Sequence, residues 1–385
     1  EITCRDWSSD VCSSDLAALR FLRLAILPPL AALLGCVPAV SEYFRADPLL
    51  VDGDLLLVVQ TASDSDMQER VDIYRRAETD STETSVHWEM LFNRIYGVYY
   101  GSVIHGKEAF IFFENAILIL SRKPGAGPWQ WRSLPLQRPF LPEAGLSADG
   151  LLYIFGKNPK SNCLAGVVYQ NGRLRDLPRT AVAIPHESFQ MIAFEIDGRR
   201  FVLWRPQTSG GRLMSQLFFS DSPEYVEVLK DGSVSEKRVL TYNAEGMVAV
   251  FVSTDGETAA MIRQPSGSAD SLTLGWSALD LSASGMLLAS DDELLSASTK
   301  KDALDNSSYV SLAAVPFKQN AVLIARAAIS RIDCALVDPQ TLSLIPIRTT
   351  GIADVGNRFV RLLPLLAFMT LTVLLAFIAL NRARR

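Results

Sequence analysis

Met191–Arg205 reads "MIAFEIDGRRFVLWR", two apolar runs that meet at Asp197-Gly198. Ile, Phe, Val and Trp suit a pleated, packed surface, and Asp-Gly accepts the positive φ that both central positions of a type I′ turn demand. The stretch is therefore a β-hairpin. "GVVYQNGRLRDL", "VEVLKDGSVSEKRVL" and "MVAVFVSTDGETAAMI" repeat the arrangement around Asn171-Gly172, Asp231-Gly232 and Asp255-Gly256. Hairpins that follow one another this closely leave no room for helical crossovers, which argues for an all-β, antiparallel protein.

The hairpins recur with a period. Apolar strands begin near Leu55, Ala109, Leu151, Phe201, Met247, Met286 and Ala321, most of them about forty to fifty residues apart, the spacing of four-stranded repeat units. Two units can be followed strand by strand. One holds "EAFIFF", "AILILSR" and "WQWRSLPL"; the next holds "GLLYIFGK", "CLAGVVYQ" and "GRLRDLPR". Their closing phrases, W-x-x-L-P and L-x-x-L-P, resemble the outer strands of kelch-like β-propeller repeats, and the period is also similar to that of WD40-like repeats. The resemblance implies a six- or seven-bladed β-propeller over residues 48–350. Diagnostic marks of both families are missing: Gly210-Gly211 is the one Gly-Gly pair and Trp-Asp does not occur. Tandem β-sandwich domains are the alternative, because alternating strands alone do not separate the two.

The ends read differently. Asp6–Leu16, "DWSSDVCSSDL", back-translates into a common short-read sequencing adapter, so residues 1–16 are set aside as non-native. Without them the formal charge of −5 becomes about −2, which gives no footprint for nucleic acid. Residues 17–35 have the order of a signal peptide: Arg20 and Arg23, a short apolar run interrupted by Pro28-Pro29, then small residues. "LLGC" resembles a bacterial lipobox, which would make Cys36 a lipidation site followed by a linker over 36–47. Residues 359–381 enclose the uncharged run Leu362–Leu380, long enough for a transmembrane helix, with residues 382–385 as a cytoplasmic tail. The expected setting is the bacterial cell envelope, anchored in the inner membrane with the main domain outside the cytoplasm.

Chemistry is sparse between those ends. His87, His105 and His186 have no metal-binding spacing, and no G-x-S-x-G or phosphate cradle occurs. "SDSD" at Ser63–Asp66, with Glu69 and Asp72, lacks the glycine turn of a calcium loop. "STDGET" at Ser253–Thr258 resembles the sialidase Asp-box but is one residue short, and reads as a hairpin turn. Cys163 and Cys334 could pair in an oxidising compartment or stay as buried thiols. "NSS" at Asn306 matches a glycosylation acceptor. No catalytic residue, cofactor or metal site can be nominated. The densest aromatic and basic stretch, "WQWRSLPLQRPFLP", offers Trp129, Trp131 and Arg132 as a partner-binding face, against a reading in which the tryptophans pack one side of an outer strand and the prolines form a loop. The expected function is a membrane-anchored, non-catalytic binding or assembly module for a protein or glycan. A glycan-active propeller enzyme and an envelope sensor are the alternatives. A lipobox joined to a propeller is also similar to the lipoprotein scaffold of outer-membrane protein assembly, from which the C-terminal apolar run departs.

Overall fold

The computed structural model describes residues 41–352 apart from 64–68, 78–84, 124–126, 137–139, 185–189, 206–221, 243–246, 254–257, 265–270, 292, 299–308, 318–320 and 329–331. All of them fall in one compact unit. Cys36, His186, Asn306 and Leu362–Leu380 lie outside the described residues. Among those described, the regular elements are β-strands, and no helix is long and apolar enough to cross a membrane.

The strands form six consecutive antiparallel meanders. The first is β1 (Ser41–Val51), β2 (Asp54–Ser63), β3 (Glu69–Arg76) and β4 (Ser85–Tyr96). The second is β5 (Tyr99–His105), β6 (Glu108–Phe113), β7 (Ala116–Arg122) and β8 (Trp129–Pro135); the third is β9 (Leu141–Ala148), β10 (Leu151–Asn158), β11 (Cys163–Gln170) and β12 (Arg173–Asp176). The fourth comprises β13 (Gln190–Ile196), β14 (Arg199–Arg205), β15 (Glu224–Val228) and β16 (Arg238–Val239). In the fifth, β17 (Met247–Val252), β18 (Ala259–Gln264) and β19 (Ser271–Leu281) end in a divided outer strand, β20 (Leu287–Ala289) and β21 (Glu293–Ser298), both paired with β19. The sixth is β22 (Tyr309–Phe317), β23 (Ala321–Ala328), β24 (Ile332–Asp338) and β25 (Ser343–Thr350).

The first strand of each meander lies beside the first strand of the next: β1 by β5, β5 by β9, β9 by β13, β13 by β17, β17 by β22, and β22 again by β1. The inner strands thus close a ring. Apolar packing follows the same order, with one cluster between each pair of neighbouring sheets. Leu55, Leu57 and Val59 of β2 face the sixth sheet's Leu323, Ala325 and Cys334, while Leu56 and Val58 face the second sheet's Ile111 and Leu120. Successive side chains of a strand point to opposite faces, so a strand packed on both sides must be apolar at every position. That is why "DLLLVV" and "AFIFF" show no alternation. Each sheet buries two faces against two different neighbours, which is not the arrangement of a pair of sandwiches.

The ring is also closed at its outer edge. β25 pairs in parallel with β4 through Arg348–Ser85, Thr349–Val86 and Thr350–His87, and His87 Nδ1 lies 3.0 Å from Thr350 Oγ1. Gly351, at φ 85°, lets the chain pass against the Trp88 carbonyl, where a Cβ would collide.

Three expectations change. Met286 begins no unit: the strand that follows it, β20, is half of an outer strand, so the sixth unit starts at Tyr309. Pairing begins at Ser41 rather than at Pro48, because residues 41–47 continue β1 opposite Val58–Ser63. Pro142, assigned to a loop, lies within β9. The hairpin turns follow expectation at Asn171-Gly172 and Asp197-Gly198, where both residues have positive φ, and the same geometry occurs at Asp52-Gly53 and Asp149-Gly150. At Asp231-Gly232 only the glycine is positive; Gly232 N donates to Leu229 O and Leu229 N to Ser233 O, a three-residue loop with a glycine bulge.

Candidate functional site

Trp129, Trp131 and Arg132 all belong to β8, the outermost strand of the second sheet, but they do not form one face. Trp129 packs against the cluster between the first and second sheets. Trp131, two residues on, points the same way and stands 54% exposed. Arg132 points toward the third sheet, where its Nη2 donates to Tyr169 Oη at 2.8 Å and lies 3.6 Å from Glu108. Strand alternation separates the arginine from the tryptophans.

Across from Trp131 runs β4, and between them lies a groove of about 560 Å³ lined by Met90 to Ile95 and Trp131. Met90 is 47% exposed, and Tyr96, at the end of the same strand, 61%. The groove exists because β4 is irregular: its pairing with β3 shifts twice between Val71 and Tyr74. Arg94 sits at φ 56°, where its N–H donates to Asp72 Oδ1 at 2.8 Å. Asp72, weighed above as a calcium ligand, is therefore committed to this bend and to Arg70 at 3.5 Å. Such large exposed apolar side chains, gathered at one place, mark interaction sites.

A second cavity, also about 560 Å³, lies on the axis of the ring and is lined by residues of β5, β9, β13, β17 and β22. Its walls are about equally polar and apolar, with Ser147, Ser253, Glu195 and Asp197 on the polar side. Ser147 Oγ lies 2.9 Å from His105 Nδ1. Glu195 Oε2 accepts from Arg200 Nε at 3.3 Å, and the buried Arg200 also bonds Asp149 and Tyr153 Oη.

Nearer the other end of the inner strands is a polar cluster that no motif announced. Arg45 Nε donates to Asp47 at 2.8 Å, Arg45 Nη1 to the Tyr100 carbonyl at 2.5 Å, and Tyr99 Oη to Asp47 at 2.5 Å. Burial, helped by Asp47, holds the Tyr99 phenol well above its usual range. Glu143 stands near Lys157 and Arg45; burial pushes its carboxyl up to about 7 against the pull of those cations. Bulges explain how charged groups arrived here. Among the described residues, four adjacent inner strands each carry one extra residue near their start: Val310 in β22, Phe44 in β1, Tyr100 in β5 and Glu143 in β9. A bulge re-aims the side chains around it.

Ser253 and Thr258, the ends of the Asp-box-like stretch, close the β17–β18 hairpin through the Ser253 N–H to Thr258 carbonyl bond at 2.8 Å. Cys163 and Cys334 are both free, one in the third sheet and one in the sixth. Among the described residues no three His, Cys, Asp or Glu side chains converge as metal ligands.

No family model and no curated protein matches the chain. Solved structures do. A mutant Aleuria aurantia lectin complexed with Fucα1-6GlcNAc is 10% identical, covering 82% of this chain and 98% of its own, at a TM-score of 0.46. A leech intramolecular trans-sialidase is 8% identical over 80% of this chain and 57% of its own, at 0.43. A GH43_1 enzyme of Xanthomonas citri is 11% identical over 83% and 96%, at 0.39. Likenesses this distant say nothing of what this chain binds.

Proposed function

We propose that the chain is a six-bladed β-propeller serving as a non-catalytic binding or assembly module of the bacterial envelope, and that it captures a protein partner in the rim groove between β4 and β8. The observation that carries this reading is Trp131, exposed beside Met90 on the outermost strands. A large aromatic beside an apolar trough is the usual anchor of an interface. The proposal includes the anchoring: the Leu362–Leu380 run spans the inner membrane, residues 382–385 lie on its cytoplasmic side, and Cys36 carries lipid.

A photo-crosslinking residue in place of Trp131 tests the reading in cells, with the same residue in place of the exposed Lys160 as control. A discrete, saturable protein adduct at 131 and none at 160 supports it. Trp131→Ala should then weaken the purified complex by about thirtyfold or more without changing thermal stability. Equal adducts at both positions would reject the groove. Trp131-dependent retention on a glycan array, without a protein adduct, would move the assignment to a glycan. A reporter fused after Arg385 tests the topology and should be active in the cytoplasm only.

The second reading, a glycan-active enzyme, draws on Glu195 and Asp197 at the axial cavity. Both lie on one strand and its turn, two residues apart, so they address the same side of a ligand. Glycosidic cleavage requires carboxyl groups that flank the bond, which makes this the weaker reading.

A further inference from the structure

The axial cavity has a chemical bias that the rim groove lacks. Val103, Ile192, Val250 and Ala314 supply apolar wall from four different sheets, and among the described residues lining it the charged side chains are Glu195 and Asp197, both acidic. Glu195 spends one oxygen, Oε2, on Arg200; its Oε1 makes no hydrogen bond among the described residues. Asp197 stands at the Asp197-Gly198 turn on the cavity wall, likewise without a hydrogen bond there. Asp197 is exposed at the cavity mouth, while Glu195 is half-buried and shares its charge with the buried Arg200. A volume of about 560 Å³ is within the range of small-ligand sites.

We propose that the axial cavity binds a small organic cation, an ammonium with an apolar body, the charged head at Glu195 and Asp197 and the body against Val103, Ile192, Val250 and Ala314. This does not depend on the rim reading: the two sites use different strands. Carboxylates on one side of the cavity suit the holding of a charge, as they do not suit the cleavage of a bond between them.

Calorimetric titration of the full chain in detergent with hexylammonium, hexanol and hexanoate tests it. The ammonium should bind about tenfold or more tighter than the alcohol, the order of one partly screened charge pair, and hexanoate should be weakest. Asp197→Asn keeps a residue that tolerates positive φ in the turn, and should reduce the preference for ammonium while leaving hexanol binding in place. Glu195→Gln should reduce it further. Ala314→Trp should fill the cavity and abolish binding of all three; because Ala314 also packs against the cluster between the fifth and sixth sheets, the melting temperature falls, and a retained cooperative transition shows that the fold survives. Equal affinity for the three probes, tighter binding of hexanoate, binding that survives Ala314→Trp, or no binding at all would overturn the proposal, and none of these results bears on crosslinking at Trp131.

Discussion

At the scale of single residues, Glu143 is the group most at odds with its surroundings. Its carboxyl is enclosed, although part of the side chain meets solvent, and burial holds it at about 7. A carboxyl whose folded pKa exceeds its unfolded value binds its proton more tightly when folded. Its contribution to stability is present at acid pH and is lost as pH climbs through 7. Glu143→Gln removes that loss. Denaturant titration should find the variant within about 0.5 kcal/mol of the parent at pH 4 and about 1–3 kcal/mol more stable at pH 8, after allowance for solvent screening. An equal effect at both pH values would mean that the group does not titrate in this range. Gly156 poses a purely steric problem: an added Cβ would collide with the Leu141 backbone carbonyl opposite the Glu143 bulge. Gly156→Ala should cost about 3 kcal/mol or more, since backbone must move. Neither feature was legible in the sequence, where Glu143 and Gly156 are ordinary residues. Glu143 acquires its meaning from Arg45 of a distant strand, and Gly156 from the register of its hairpin partner β9.

At the scale of elements, the hairpins were legible but the inner strands only in part: β13 and β17 could be read from their apolar runs, β9 could not. Asn171-Gly172 names its own turn, because few other pairs accept left-handed φ at two consecutive positions. Gly172 has open space around the missing Cβ and φ 81°, so Gly172→Ala should cost only about 1 kcal/mol of unfolding free energy, well below Gly156→Ala in the same assay. The inner strand β9, "LPEAGLSA", carries no apolar run to announce it, and its Pro142 reads as loop. Its Gly145 is there because a Cβ would overlap the Val103 side chain of β5, and its Glu143 because a bulge turns it out of the pairing register. Strands at the axis are crowded by their neighbours in the ring, and crowding selects small and irregular residues over β-formers. The same logic divides β8: its alternation was readable, but which side of it faced solvent depended on where β4 lies.

For the whole molecule, the ring makes every sheet dependent on two others, so stability should be shared around it. Cys334 reports on this at the seam between the sixth and first sheets. It is buried, and burial pushes its thiol up to about 12, which leaves almost no thiolate to react near neutral pH. Thiol labelling followed by peptide mass mapping should modify Cys163 first and Cys334 only at the rate of global unfolding. Rapid modification of Cys334 under native conditions would show that the seam between first and last sheets opens by itself. The parallel bridges from β25 to β4 add backbone hydrogen bonds across that seam.

The sequence by itself determined that this is an antiparallel, all-β chain of repeated short strands, because turn chemistry and apolar runs are local properties that a hairpin needs in a fixed place. Tertiary structure alone decided that the units number six among the described residues, that Met286 starts none, and that Trp131 and Arg132 look away from each other. It also brought Arg45, Tyr99 and Glu143 of three different sheets together, and set Glu195 on the axis. Those outcomes depend on contacts between residues far apart in the chain, whose positions follow from closing the ring and leave no periodic trace in any one segment.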